Sequence, residues 1–283
     1  PLDFALWKSV PKEEYGFESP WGYGRPGWHI ECTAMSQKYL GDQIDIHGGA
    51  LDLIFPHHEN EIAQSEALTG KQFVKYWMHT GFLQSSGEKM SKSLGNILPV
   101  REFLKEFSAD GYRLFILQTH YRSPIDYSTE SVKEAERALV RLKEFRKRLQ
   151  LPTSGNEERA KEAANKLKEK FITEMDDDFN TPNAVSAIFD FVREVNALID
   201  SENESKESLE NALGTFDELM GVFNLNLEDE IELSDEDLAL IKEREEARED
   251  KDWAKSDEIR NAFAKRGIKL LDNKDGSTRV EKA

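Results

Sequence analysis

The sequence predicts an α/β region followed by an all-α region, with a small α+β module at its C-terminal end. Three observations carry this reading. Up to about residue 85, glycine and aromatic residues are frequent and short apolar runs alternate with one helical segment. From Pro99 onward apolar residues recur at the 3.6-residue period of helices with one buried face. Beyond residue 233, charge-rich helical patterns end in a glycine stop and a short apolar run.

Taken in order, Ile44-Asp45-Ile46 and Trp77 through Leu83 read as strands, and Asn60 through Leu68 as a helix between them. Pro56 is placed to begin that helix. Val100 to Phe107 and Ala109 to Leu117 read as two short helices. In the segment Thr129 to Leu149, Val132, Ala135, Leu139, Leu142, Phe145 and Leu149 form one stripe. Thr181 caps a further helix, with Pro182 in its first turn and a stripe of Val185, Ile188, Phe189, Val192, Val195 and Ile199. Together with segments near 157–174 and 205–222, these make a bundle of about four helices. Residues 224–233 are acidic and lie between helical patterns, as a linker does. Ser234 and Asp237 form a capping-box-like start to the next helix. Residues 252–265 read as another helix, and Gly267 to Asp272 as a stop followed by a strand. The domain boundaries that follow are 1–85, 86–126, 127–223, 224–233 as linker and 234–283.

A chain of 283 residues fits about two or three such units. No window approaches the roughly 20 apolar residues that cross a bilayer, and the first residues lack the basic and apolar regions of a signal peptide, so a cytoplasmic location with no membrane partner is expected. The chain starts with Pro1 rather than methionine, and its start is expected not to be that of the natural gene product. A net charge of −17 argues against indiscriminate nucleic-acid binding, because any phosphate backbone must meet a local basic patch. One such patch is the run Arg137, Arg141, Lys143, Arg146, Lys147 and Arg148, which reads equally as a solvated helix face paired with nearby acids.

Two constellations carry chemistry. Lys89-Met90-Ser91-Lys92-Ser93, followed by Leu94-Gly95-Asn96, places two ammonium groups among small hydroxyl side chains on a glycine-flanked loop. Such a loop can fold over a triphosphate and neutralise charge on the departing pyrophosphate. The second joins Cys32, the only cysteine, to His57 and Glu61, which lie four residues apart and can reach one cation from one helix face. A His and Glu so spaced also make an ordinary surface pair, and a lone cysteine an ordinary small core residue. The fold decides between them.

The Lys89 to Ser93 string resembles the KMSKS signature of class I aminoacyl-tRNA synthetases. Gly27-Trp28-His29-Ile30-Glu31-Cys32, Asp45-Ile46-His47-Gly48-Gly49-Ala50-Leu51-Asp52-Leu53 and Phe55-Pro56-His57-His58-Glu59-Asn60-Glu61 look like the catalytic domain of cysteinyl-tRNA synthetases. Met175-Asp176-Asp177-Asp178-Phe179-Asn180-Thr181-Pro182 is similar to the start of that family's helical bundle. Ala109-Asp110-Gly111-Tyr112-Arg113 is similar to its Asp-Ala-Leu-Arg segment, and Arg244 through Arg260 to its anticodon-reading module.

The resemblance implies the C-terminal part of a Rossmann-like class I catalytic domain, a connector bearing the signature, a bundle for tRNA and a small anticodon-binding module. It implies Zn²⁺ held by Cys32, His57 and Glu61, with a fourth ligand, a cysteine, from an N-terminal half that is not in this sequence. ATP with Mg²⁺ is implied at Lys89, Ser91 and Lys92, the two lysines being catalytic. L-cysteine is implied against Trp28, His47 and Asp52, with the tRNA for cysteine as partner. The metal would select cysteine over serine, since a hydroxyl is harder and far less acidic than a thiol. His58 is expected in a packing or supporting role, and His79 and His120 in no catalytic one. Trp253 is read either as a base-stacking platform or as an anchor of its small core, the core being favoured. The implied activity is cysteine–tRNA ligation, with this chain alone expected to lack it. Rival readings are a cysteine ligase acting on a small amine and a non-catalytic tRNA-binding fragment.

Overall fold

The computed structural model describes residues 3–85, 88–89, 99–227, 233–273 and 277–282, with backbone alone at 88, 89, 279, 281 and 282. It divides into two compact units, Pro1–Asn226 and Leu227–Ala283. No helix among the described residues is long and apolar enough to cross a membrane.

The first unit opens with an antiparallel pair, β1 (Trp7–Ser9) and β2 (Gly24–Pro26), leading into α1 (Trp28–Leu40). Gly27 is required at this junction: a Cβ there would lie 1.8 Å from the Ala5 carbonyl oxygen. A βαβ unit follows. β3 (Ile44–Ala50) passes through a 3₁₀ turn at Leu51–Leu53 and a π-type turn at Ile54–His58 into α2 (Glu59–Thr69), and β4 (Val74–Thr80) returns parallel to β3. Ile44, Phe73 and Val74 bury between them, with Ile62 and Trp77 packed on. The regular helix thus starts at Glu59 rather than at Pro56, whose peptide bond to Phe55 is cis.

The single strand expected from Trp77 to Leu83 is broken at Gly81, whose amide donates to the Tyr121 carbonyl. The chain resumes as β5 (Leu83–Ser85) and β6 (Glu88–Lys89), which pair antiparallel. After α3 (Val100–Phe103) and α4 (Ala109–Leu117), β7 (Ile125–Tyr127) adds to β5 in parallel. Ser108 caps α4, and Glu136 in turn accepts from the Ser108 amide and hydroxyl. Gly111 leaves room for that carboxylate, since a Cβ would meet its Oε1 at 2.2 Å.

Four long helices then pack together: α5 (Thr129–Arg148), α6 (Arg159–Asp176), α7 (Thr181–Asp200) and α8 (Lys206–Val222). All six stripe residues named for α5 are buried. Phe145 meets Phe191 and Phe216 edge-on at 5.6 and 5.1 Å. In α7 the stripe shifts slightly, as Phe191 enters the core while Phe189 and Ile199 stay half-buried. Its cap is Asn180, one residue before the expected Thr181, because the Asn180 side chain accepts from the Asn183 amide. Before it, Asp178 and Phe179 both take left-handed backbone (φ 55° each). That turn aims Asp178 at Tyr121 Oη (2.7 Å) and the Arg122 guanidinium.

In the second unit, α9 (Asp235–Glu249), α10 (Trp253–Ala264) and the antiparallel pair β8 (Ile268–Asp272) and β9 (Thr278–Lys282) enclose Ile241, Ile259, Phe263, Ile268 and Leu270. Ser234 and Asp237 form the capping box of α9. Trp253 is no part of this core: it is 55% exposed and lies against the Arg248 guanidinium, 5.7 Å from its ring. Of the predicted linker, residues 228–232 lie outside the described residues.

Candidate metal centre

Cys32 and His29 stand three residues apart on one face of α1, and His57 and Glu61 one turn apart across the start of α2. Thr33 ties the two elements together by donating its hydroxyl to Gln64 Oε1 at 2.7 Å. The result brings one ligand atom each from Cys32, His57 and Glu61 within 4.8 Å of one another. His47, in the middle of β3, closes the far side, with Nε2 3.3 Å from Glu61 Oε2. His58 lies against β3, its ring filling the space a Cβ of Gly49 would occupy, and shares a 2.8 Å contact with His79.

Glu61 is fully buried. His57 Nε2 lies 2.7 Å from Oε1, yet among the described residues neither carboxylate oxygen receives a contact with hydrogen-bond geometry. An ionised carboxylate so placed is costly unless a positive charge faces it. Burial accordingly pushes the Glu61 carboxyl up from 4.5 to about 7, with the Cys32 thiol drawing it slightly back. Burial and then the Glu61 charge raise the Cys32 thiol as well. Burial lowers His57, which keeps the ring in the neutral form that ligates metals. One cation among the three would offset each of these costs. A sulfur, an imidazole nitrogen and a carboxylate oxygen are donors that suit Zn²⁺, and three protein ligands leave a position open on a four-coordinate ion.

Trp28 covers this group, stacked on His57 at 4.6 Å and His29 at 5.4 Å, with 58% of its surface still exposed. Asp52 sits in the exposed 3₁₀ turn after β3. Of the signature, the Lys89 backbone lies in β6, paired with Gln84; Met90 through Ser93, including Ser91 and Lys92, lie outside the described residues. The structure therefore joins Cys32, His57, Glu61, His47 and Trp28.

Comparison with known proteins is decisive. Residues 1–137 match the model for the class I (C) tRNA synthetase catalytic domain, 170–228 that for the DALR domain, and 231–278 that for the cysteinyl-tRNA ligase anticodon binding domain. Along nearly its whole length the chain is similar to cysteinyl-tRNA synthetases. It is 48% identical over 283 residues to the cysteine–tRNA ligase of Bacillus pumilus, covering 98% of this chain and 60% of that protein. To the enzyme of Thermodesulfovibrio yellowstonii it is 46% identical over 299 residues, covering 97% and 61%. The chain thus spans about three fifths of the length of the relatives it matches. Among solved structures, the ternary complex of Agrobacterium radiobacter K84 agnB2 LeuRS with tRNA and LeuAMS aligns over 74% of this chain and 32% of that one. Its TM-score is 0.58 at 18% identity, a likeness of fold.

Set in this cysteinyl-tRNA synthetase frame, the basic run on α5 is largely committed inside the chain. Arg137 pairs with Glu130, Arg146 with Asp217 at 2.8 Å and Arg148 with Asn196 and Asp200, while Arg141 lies over Phe189. The sequence reading missed His29, although its three-residue spacing from Cys32 was visible.

Proposed function

We propose that the protein acts as a cysteine–tRNA ligase. The cysteine carboxylate attacks the α-phosphorus of ATP and pyrophosphate leaves; a ribose hydroxyl of the terminal tRNA adenosine then attacks the acyl carbon and AMP departs. The observation that carries this reading is the group of half-buried Cys32 with buried His57 and Glu61, Trp28 stacking on His57, which together offer a cation sulfur, nitrogen and oxygen donors. Cys32, His57 and Glu61 would hold Zn²⁺, which when bound would supply a borderline-soft Lewis acid that favours a thiolate over a hydroxyl.

In this reading Trp28 closes over the side chain of the amino acid, and His47, whose Nε2 also lies 3.3 Å from Glu61 Oε2, lines the pocket for cysteine. Asp52 serves the substrate pocket, while Lys89 and Lys92, with Ser91, bind ATP and its Mg²⁺ and stabilise the leaving pyrophosphate. The exposed Trp253 with its stacked Arg248 offers a base-stacking platform, which favours tRNA over a small amine as acceptor. Mixing the chain with a separately expressed N-terminal part of a relative should restore pyrophosphate exchange.

Cobalt titration tests the metal reading without requiring turnover. The Co²⁺-loaded chain should show a sulfur-to-metal charge-transfer band that L-cysteine intensifies and L-serine leaves unchanged. Cys32→Ser should abolish the protein's own band. No cysteine response would sink the assignment.

A further inference from the structure

The Nδ1 atoms of His29 and His57 lie 2.8 Å apart, with both rings buried. Two imidazole nitrogens can share a hydrogen bond only if one carries the proton and the other is bare. On the opposite side of the His57 ring, Nε2 points to Glu61 Oε1 at 2.7 Å and so faces the candidate cation. A neutral His57 that ligates through Nε2 must keep its proton on Nδ1, and the atom waiting for that proton is His29 Nδ1.

Resting on the zinc reading above, we infer that His29 is a positioning residue for the metal ligand His57: it accepts the His57 Nδ1–H and fixes both tautomer and ring plane. His29 then carries its own proton on Nε2. Its surroundings suit a fixed orienting group. Trp28 stacks on its face, Phe4 meets it edge-on at 5.9 Å, and its carbonyl accepts from the Thr33 hydroxyl at 3.3 Å, the same hydroxyl that reaches Gln64 on α2. His29 lies at the start of α1 and His57 just before α2, so the contact also holds Cys32 and Glu61 at their working separation. Partners of metal-bound histidines typically contribute about 10- to 100-fold in metal affinity.

The experiment is a Zn²⁺ titration of the 283-residue chain against a chromophoric chelator, comparing the wild type with H29F, H29N and H57A. H29F keeps a ring beneath Trp28 but has no acceptor; H29N retains an acceptor oxygen near the Nδ1 position. H29F should bind Zn²⁺ about 10- to 100-fold more weakly, and H29N should recover most of the loss. Unchanged affinity in H29F overturns the inference alone, as does equal weakening in both His29 variants. Absence of zinc binding by the wild type, indistinguishable from H57A, overturns the zinc reading and this inference with it. A second readout is independent of a general loss of fold. In the Co²⁺-loaded protein the exchangeable Nδ1 proton of His57 should give a paramagnetically shifted resonance in the wild type and H29N, and should exchange away in H29F. Its persistence in H29F overturns the proposal.

Discussion

At the scale of single residues, Glu61 sets the terms of the centre. Its carboxyl is raised from 4.5 to about 7 by burial, so the metal-free fold holds this proton more tightly than the unfolded chain does. The stabilisation that protonation brings is fully present below pH 4.5 and is lost as pH rises through about 7. The difference in urea midpoint between wild type and Glu61→Gln, measured in EDTA, should therefore shift against the wild type across that window. Zn²⁺ should reverse the difference by binding the ionised form. The four-residue spacing of His57 and Glu61 was legible in the sequence, but it fitted a surface pair as well, and only the family resemblance joined Cys32 to them. The His29 contact was not legible, because it joins residues 28 apart in sequence through the packing of α1 on α2.

At the scale of elements, the helices were the most legible part, since a 3.6-residue stripe is local and α5 buries the face its stripe defines. The strands were less so. Nothing local in Trp77 to Leu83 says that the run must change sheets at Gly81, because the cause lies in residues 121–124. A Cβ at Gly81 would stand 2.2 Å from the Ser123 carbonyl oxygen and 2.6 Å from Pro124 N, both backbone atoms that cannot swing aside. Gly81→Ala should thus cost about 2–3 kcal/mol and lower the melting temperature of the first unit, whereas Gly214→Ala, which meets nothing within 4 Å, should not. The one-residue shift of the α7 cap has a similar origin. Asn180 can cap because the left-handed pair Asp178 and Phe179 turns the chain there, and Asp178 is engaged by Tyr121 and Arg122 from a distant segment.

At the scale of the whole molecule, the division into Pro1–Asn226 and Leu227–Ala283 has an energetic counterpart. Arg244 is buried in the second unit, donating to Thr278 and paired with Asp272 at 2.8 Å, with Arg248 on the same carboxylate. Removing that carboxylate by Asp272→Ala strands a buried cation. Breaking a fully buried pair costs about 3–5 kcal/mol; Asp272 is 37% exposed, so about 2 kcal/mol is expected. Calorimetry should show the loss in the transition of the second unit, with the first unit unmoved. Charge patterning announced this module in the sequence, but of the two readings of Trp253 the favoured one, a core anchor, does not hold, because Ile259 and Phe263 fill that core. The exposed indole has an optical consequence. Of the five tryptophans, Trp7, Trp21, Trp28 and Trp77 fall in the first unit and Trp253 alone in the second. The emission removed by Trp253→Phe is therefore the fluorescence of the second unit, and its quenching on titration with an anticodon stem-loop would register a base stacking at that ring.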